Sequence, residues 1–323
     1  MRLRAIAALG VVVALAWPAA PAAAAGNGEW AVTPTPAAKA GPTPRVYFFL
    51  DASAGQTLKE SVRVVNLGKA PKSFLLYGAD AYNTARDGGF AMRTSTEPQQ
   101  GVGAWVKAAA ARVTVPGGAQ ADVPFTITVP ANATPGDHVG GVVAMETEAG
   151  ATTEADGATV RIQRAVAARV YLRVAGTVVP GLAVPSVRLD LAAPLLPHAA
   201  DGELTYQVAN VGNAHLVPTA TVRATGLLGH RVTLTGTTPS GDFVPGAKGT
   251  FGMRARGAWP VDIVTASVVV RADGGVYAKR TDRALVLSWT ALAIPVAAAA
   301  AAWWLLSRRR RSRTLRARGP VTG

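Results

Sequence analysis

Two stretches of this chain follow the same plan: ESVRVVNLGKAPKSFLLYGA at residues 60–79 and ELTYQVANVGNAHLVPTATVRA at residues 203–224. Each contains an alternating run, the pattern Asn-(Leu/Val)-Gly-x-Ala (Asn66 to Ala70 and Asn210 to Ala214) and a second run. A short Asn- and Gly-containing turn between two such runs is typical of paired β-strands. A Pro-Gly turn that leads into a strand also occurs twice, in VPGGAQADVPFTITV (115–129) and VPGAKGTFGMRARG (244–257). The repetition predicts two immunoglobulin-like sandwiches in tandem.

The chain from residue 45 onward alternates apolar and polar residues in short runs separated by Gly, Pro and Asn. SVRVVN (61–66), PFTITVP (124–130) and RVYLRVAG (169–176) each place apolar side chains at every second position. A period of two gives a strand one buried and one solvated face, which is typical of an all-β sandwich. We predict an all-β fold with sandwiches over residues 45–176 and 177–283. Arg169, Tyr171 and Arg173 are predicted on a solvated face.

The N-terminal residues are typical of a secretory signal peptide. Arg2 and Arg4 precede an apolar run from Ala5 to Trp17 and a segment of small residues, which predicts cleavage after Ala25. The alternative, an uncleaved anchor, is disfavoured because the run is shorter than the ~20 residues that span a bilayer. Residues 26–44, rich in Pro, Ala and Thr, are predicted to form a linker with little to pack.

The segment ALVLSWTALAIPVAAAAAAWWLL at residues 284–306 contains no charged residue and predicts one transmembrane helix. Seven arginines follow it between residues 308 and 318, so the tail (307–323) is predicted to be cytoplasmic and the sandwiches outside. The sequence has neither an LPxTG sorting motif before this segment nor a cysteine for lipid attachment. The helix itself is therefore predicted to hold the protein in the cell membrane.

The composition excludes several kinds of site and partner. The chain has no cysteine, so it can form neither a disulfide nor a thiolate zinc site. Its 33 Lys and Arg residues exceed its 19 Asp and Glu residues, but the signal segment and the tail hold much of the excess. The region between them has 24 basic against 19 acidic residues, so nucleic acid is not a predicted partner.

No catalytic or metal-binding pattern stands out. The four histidines, His138, His198, His215 and His230, are all more than ten residues apart, and no HExxH or Gly-x-Ser-x-Gly pattern occurs. We predict a non-enzymatic protein without metal or cofactor. A wall-active hydrolase remains an alternative, and its carboxylates would come from Asp51, Asp80, Asp87 and Asp137.

The stretch PGDHVGG at residues 135–141 is the one place where a histidine adjoins a carboxylate between glycines. Pro135, Gly136 and Asp137 are predicted to form a turn, with His138 exposed at the start of a strand. A metal or catalytic role for Asp137 and His138 is the less favoured alternative. Adjacent glycines weaken a strand, so Gly140 and Gly141 indicate either a bulge or an edge at which a partner strand approaches.

The segments VYFFLDASAGQTLKESVRVVNLGKAPKSFLLYGADAYNTARDGGF (46–90), WV (105–106) and VTVPGGAQADVPFTITVPANATPGDHVGGVVA (113–144) carry a resemblance to a known family. They resemble the first domain of the WxL-interacting proteins of Gram-positive cell surfaces. The shared features are a Phe/Tyr-rich opening strand, a Gly-Gln turn, an Asn-bearing hairpin, a Trp-Val pair and a Gly-x-x-x-Gly-Gly strand.

The resemblance implies a peptidoglycan-binding first domain, followed by a second β-domain and one transmembrane helix. Predicted partners are peptidoglycan or a secreted surface protein, with Gly140, Gly141, Trp105 and Asn83 as candidate binding residues. The alternative is an adhesin or spacer stalk without a specific wall ligand.

Overall fold

A computed structural model describes residues 28–36, 45–148, 152–155, 158–161 and 163–316. The predicted signal peptide, residues 37–44 of the predicted linker and residues 317–323 of the tail lie outside the described residues. The described chain forms two β-sandwiches and a C-terminal helix, which is the predicted fold class.

The first sandwich has two facing sheets. The smaller has the strand order β1-β3-β8-β6, formed by β1 (Trp30–Pro34), β3 (Thr57–Asn66), β6 (Val106–Ala108) and β8 (Gln120–Thr128). The larger has the order β2-β12-β9-β4-β5, with β7 also paired to β4, and is formed by β2 (Phe48–Ala52), β4 (Lys72–Asn83), β5 (Phe90–Met92), β7 (Arg112–Val115), β9 (Gly136–Glu146) and β12 (Ala165–Val174). One helical turn, α1 (Val102–Trp105), and a hairpin of β10 (Thr152–Ala155) and β11 (Ala158–Arg161) complete it.

The predicted alternation places the core of this sandwich. Val62 and Val64 of β3, Phe125 and Ile127 of β8, and Val170 and Leu172 of β12 are all buried between the sheets. Each buried side chain is separated from the next by one that faces away, because successive side chains of a strand point to opposite faces.

The linker prediction for residues 26–44 is wrong over residues 30–34. These residues form β1, which pairs antiparallel with β3 from Trp30↔Asn66 to Pro34↔Val62. Trp30 is fully buried and its ring lies 5.4 Å from that of Phe74. The burial of so large an aromatic side chain stabilises a strand that its Pro and Ala content does not predict.

The second sandwich is a single eight-stranded sheet folded over on itself. Its strands are β13 (Leu182–Ala183), β14 (Val187–Leu191), β15 (Ala200–Asn210), β16 (Thr219–Thr225), β17 (Arg231–Gly236), β18 (Lys248–Ala258), β19 (Val261–Arg271) and β20 (Tyr277–Leu287). The order is β13-β15-β18-β17-β16-β19-β20, with β14 also paired to β15. The two ends of the sheet meet where Leu189 N–H of β14 donates to Asp282 Oδ2 of β20 at 2.8 Å. Tyr206, Phe251 and Leu204 fill the interior.

The repeated turn is held by a buried asparagine. In the first sandwich, Asn66 Nδ2 donates to the carbonyl oxygens of Ala70 at 2.8 Å and Val115 at 3.0 Å. Asn66 Oδ1 accepts from Gly68 N–H at 3.0 Å. The side chain thus joins the hairpin turn to the strand that precedes the Pro-Gly turn.

The second sandwich reproduces this arrangement. Asn210 Nδ2 donates to the carbonyl oxygens of Ala214 at 2.8 Å and Phe243 at 2.9 Å, and Asn210 Oδ1 accepts from Gly212 N–H at 3.1 Å. Both asparagines are buried. The sequence repeat is therefore a repeat of one side-chain hydrogen-bond pattern.

The C-terminal helix, α2 (Trp289–Arg316), begins later than predicted. Residues 284–287 belong to β20, where they pair with β19 from Leu287↔Val261 to Ala284↔Val264. This pairing satisfies backbone groups of an apolar stretch that composition alone assigns to the membrane. Residues Trp289–Arg308 are long and apolar enough to cross a bilayer.

Candidate binding site

The outer face of the larger sheet in the first sandwich carries a groove. Tyr77, Val143 and Ala167 are register neighbours on β4, β9 and β12, so their side chains lie side by side in its floor. Strand β5 forms one wall, and the groove has a volume of about 510 Å³. Its lining includes Tyr77, Phe90, Met92, Arg93, Val143, Ala167 and Arg169. The groove therefore combines aromatic and aliphatic surfaces with two guanidinium groups.

The two arginines of the groove differ in their partners. Arg169 donates to Asp242 Oδ2 of the second sandwich at 3.1 Å, and its guanidinium carbon lies 4.2 Å from the Phe90 ring centroid. Arg93 is paired with no carboxylate of the described chain, and its guanidinium lies 5.7 Å from the ring of Tyr82. The Arg169 guanidinium is thus held by Asp242 and Phe90, whereas the Arg93 guanidinium remains available to an anionic group of a ligand.

Tyr77 lies partly covered in the floor. Burial, with a smaller contribution from the negative charge of Glu97, raises the pKa of its hydroxyl above the ordinary value. The hydroxyl therefore stays protonated at neutral pH and can donate a hydrogen bond to a ligand.

Gly141 and Gly140 lie in β9, between β12 and β4, and both of its edges are paired. A partner strand cannot add there, so the proposed edge at these glycines is wrong. The bulge alternative is wrong as well, because the register runs unbroken through Arg169↔Gly141 and Val170↔Gly140.

The two glycines instead permit close packing on opposite faces of the sheet. A Cβ on Gly141 would lie 2.9 Å from Met92 Cε and 2.8 Å from Ala168 O. The absence of a side chain here therefore lets Met92 of β5 pack closely against β9, where β5 forms the wall of the groove. A Cβ on Gly140 would lie 2.5 Å from Ala79 O and 2.8 Å from Val102 Cβ, on the face that α1 covers. None of the four predicted binding residues lines the groove: Gly141 lies behind Met92, and Asn83 pairs with Phe90 in the strand register.

Asp137 is buried in a strand and does not form the predicted turn. Its carboxylate accepts from Arg173 Nε at 2.6 Å, and from the backbone N–H of His215 in the second sandwich at 2.9 Å. Burial alone would raise the pKa of this carboxyl, but the hydrogen bonds from His215 and Arg173 hold it well below its usual range. The ionised carboxylate of Asp137 thus links the two sandwiches through hydrogen bonds.

Asn83 belongs to the same junction. Its Nδ2 donates to the carbonyl oxygen of Asp242 at 2.6 Å, and its Oδ1 accepts from Val244 N–H at 3.0 Å. Tyr171, predicted to be solvated, is buried there and donates to Asp242 Oδ2. This hydrogen bond and burial together raise the pKa of Tyr171 to about 12, burial being the larger cause.

Trp105 and His138 pack together on the other face of the sheet, with ring centroids 4.7 Å apart. His138 is half-buried, and its Nε2 lies 2.8 Å from Thr134 O, so it is not the exposed imidazole that the sequence predicts. Neither residue faces the groove.

Three of the carboxylates named for a hydrolase, those of Asp80, Asp87 and Asp137, accept hydrogen bonds within the protein, and Asp87 Oδ1 does so from Gly89 N–H at 3.0 Å. Asp80 accepts from the backbone N–H groups of Gly101 at 3.0 Å and Gly103 at 2.7 Å, which holds the loop before α1. Asp51 and Asp137 lie on either side of Arg173 in the strand register. Among the described residues, no group of three or more His, Asp or Glu side chains could hold a metal ion.

A second accessible feature is the outer edge of β2. In the described chain this strand pairs only with β12, in parallel. Phe49 at its centre is 67% exposed, and its ring stacks on that of Tyr171 at 5.1 Å. β2 thus presents one unpaired side next to an exposed aromatic ring.

Sequence reasoning missed Phe90, Met92 and Arg93. Phe90 and Met92 lie in a three-residue strand after a Gly-Gly pair, and Arg93 follows it; the strand is too short to show a period of two. Their one signal in the sequence is a run of three apolar residues followed by an arginine in a turn-rich stretch.

No protein-family model and no curated protein matches the sequence. Among solved structures, the chain is similar to the CupB2 chaperone of Pseudomonas aeruginosa, with 11% identity, a TM-score of 0.34, and coverage of 74% of this chain and 97% of that one. It is also similar to the YadV chaperone (9% identity, TM-score 0.34, 79% and 100% covered) and the E. coli chaperone DraB (11%, 0.30, 74% and 95%).

Proposed function

We propose that this chain is a non-enzymatic, membrane-anchored protein of the cell envelope whose first sandwich binds the glycan of the cell wall. The groove walled by β5 is the observation that carries the proposal. Sugar rings stack on aromatic and aliphatic side chains, which Phe90, Met92 and Tyr77 supply. Peptidoglycan also carries carboxylates, for which the unpaired guanidinium of Arg93 is a suitable donor. The resemblance to the WxL-interacting family supports the same ligand.

The test is co-sedimentation of the detergent-purified full chain with insoluble peptidoglycan. Arg93→Ala should weaken binding roughly 10- to 100-fold, because a hydrogen bond to a charged group contributes about 1.5–3 kcal/mol. Lys107→Ala is the matched control, because Lys107 is an exposed cation on the opposite sheet of the same sandwich. Equal loss in both variants would indicate nonspecific charge attraction and contradict a groove site.

A second candidate function is strand addition by a protein partner at β2. Main-chain hydrogen bonds at an unpaired edge give such complexes affinity, and exposed Phe49 would give selectivity. Phe49→Asp should abolish capture of a secreted partner and leave glycan binding unchanged, whereas Arg93→Ala should do the reverse. If the unsubstituted chain binds neither peptidoglycan nor a surface protein, both proposals fail, and the alternative function, a spacer stalk without a specific ligand, takes their place.

The helix α2 supports the anchoring part of the proposal. Trp289 lies at one end of the apolar span, Trp303 and Trp304 lie near the other, and tryptophan is enriched at the two bilayer interfaces. The arginines beyond the span support a cytoplasmic tail, because positively charged residues flanking a spanning helix favour the cytoplasmic side.

A further inference from the structure

The end of the second sandwich from which α2 emerges is rimmed by apolar side chains. Three loops lie at this end, namely residues 192–199 between β14 and β15, 226–230 between β16 and β17, and 259–260 between β18 and β19. We call the exposed apolar residues of these loops and of the adjoining strand ends the apolar rim: Leu195, Leu196, Leu227, Leu228, Trp259, Ile263 and Leu285. Leu228 is 88% exposed and Leu195 is 81% exposed. Isolated apolar residues are ordinary on a surface, but several grouped around one end of a domain indicate a contact surface.

The rim is attached directly to the candidate membrane span. A single residue, Ser288, separates the end of β20 at Leu287 from Trp289. Ser288 N–H donates to Pro260 O at 2.8 Å, and the Thr290 hydroxyl donates to Leu195 O. The helix therefore follows the sandwich after one residue, and Ser288 and the first turn of the helix are hydrogen-bonded to two of the three rim loops.

The length of the span fixes the height of the rim above the bilayer. Residues Trp289–Arg308 form 20 residues of helix, or ~30 Å, which is the thickness of the hydrocarbon core. When this span crosses the core, Trp289 lies at its boundary, and the rim lies in the headgroup layer just above it.

One rim residue has a backbone conformation that its side chain disfavours. Leu228 has φ 60° and is the one non-glycine residue with positive φ in the described chain. Glycine or asparagine adopts this conformation at lower cost, and Leu228 gains no compensating burial in the protein. No contact within the described chain compensates for the strain of a leucine at the tip of this loop.

A buried carboxylate holds two of the three rim loops, residues 226–230 and 259–260. Asp262 accepts from Leu227 N–H at 2.7 Å and from Trp259 N–H at 3.1 Å. The ring of His230 stacks on Trp259 at 4.1 Å. The part of the rim formed by Leu227, Leu228 and Trp259 is thus ordered by contacts within the second sandwich.

From these observations we infer that the apolar rim inserts into the headgroup region of the same bilayer that α2 crosses. The second sandwich would then stand on the membrane in one orientation, and the first sandwich would be held away from it toward the wall. This inference rests on the membrane anchoring in the proposed function.

The absence of cysteine allows a direct test in the full chain. Single variants Leu196→Cys, Leu228→Cys, Tyr277→Cys and Ala298→Cys are labelled with a fluorophore and reconstituted into vesicles of phosphatidylcholine and phosphatidylglycerol with brominated acyl chains. Tyr277 is the matched control, because it is exposed on β20 but lies ~33 Å from Leu287 by the rise of the strand. Ala298 reports on the span itself.

The expected result is strong quenching at residue 298, at least half that extent at residues 196 and 228, and none at residue 277. Quenching at 298 without quenching at 196 and 228 would overturn the inference, whether water or a protein covers the rim. If residue 298 is itself unquenched, the membrane anchoring in the proposed function fails, and the inference fails with it.

Discussion

Replacement of Asn210 by alanine tests whether the repeated turn stabilises the fold through its side-chain hydrogen bonds. The substitution removes the two bonds donated to Ala214 O and Phe243 O and the one accepted from Gly212 N–H. Phe243 O keeps a second donor, Leu216 N–H at 3.0 Å. Gly212 is half-exposed, so its N–H regains water, but Ala214 is buried and its carbonyl loses a partner.

An unsatisfied buried carbonyl costs about 1–3 kcal/mol, and the lost bonds and packing add to this. We expect Asn210→Ala to lower the free energy of unfolding by about 2–4 kcal/mol. For a protein of this size that is a fall in melting temperature of roughly 5–15 °C. Scanning calorimetry of the detergent-purified full chain measures it, with Asn132→Ala, in an exposed loop, as the control.

Asn210→Asp separates hydrogen bonding from shape. It keeps the size of the side chain but turns a carboxylate oxygen toward two carbonyl oxygens, so it should be at least as destabilising as alanine. Full stability in Asn210→Asp, or a change in Asn210→Ala no larger than in the control, would refute the reasoning.

Three further predictions concern β9, the junction and the membrane. Gly140→Val should destabilise the first sandwich strongly, because its Cβ would meet backbone at 2.5 Å, and urea unfolding that matches the parent would contradict this. The lowered pKa of Asp137 means that its stabilising contribution is complete above the carboxyl's unfolded pKa and is lost as the pH falls below about 4. The melting temperature should therefore fall between pH 5 and pH 3, and it should fall less in Asp137→Asn. Protease added to intact, wall-stripped cells should destroy an epitope in residues 28–287 and spare a C-terminal tag, whereas loss of the tag would reverse the proposed orientation.

The sequence by itself determined the fold class and the repeat. The alternation in SVRVVN and PFTITVP places Val62, Val64, Phe125 and Ile127 in the core without knowledge of their partners, because the period of a strand is a local property. The Asn-x-Gly-x-Ala turns were visible for the same reason, since the bonds from Asn66 to Gly68 and Ala70 lie within five residues. The charge-free segment likewise predicted a spanning helix, because length and apolarity suffice for that.

Only the tertiary structure decided which strands lie at sheet edges, which polar residues link the two sandwiches and where the groove lies. Gly140 and Gly141 suggested an approach site, but the register of β9 between β4 and β12 arises from residues about 60 positions before and 30 positions after them in the chain. Asp137 took its role from His215 of the other sandwich, and no spacing rule connects two residues that far apart. Residues 284–287 show the same limit: an apolar run fits a membrane helix or a buried strand, and the pairing with β19 decided between them, because unpaired backbone groups are costly in either setting.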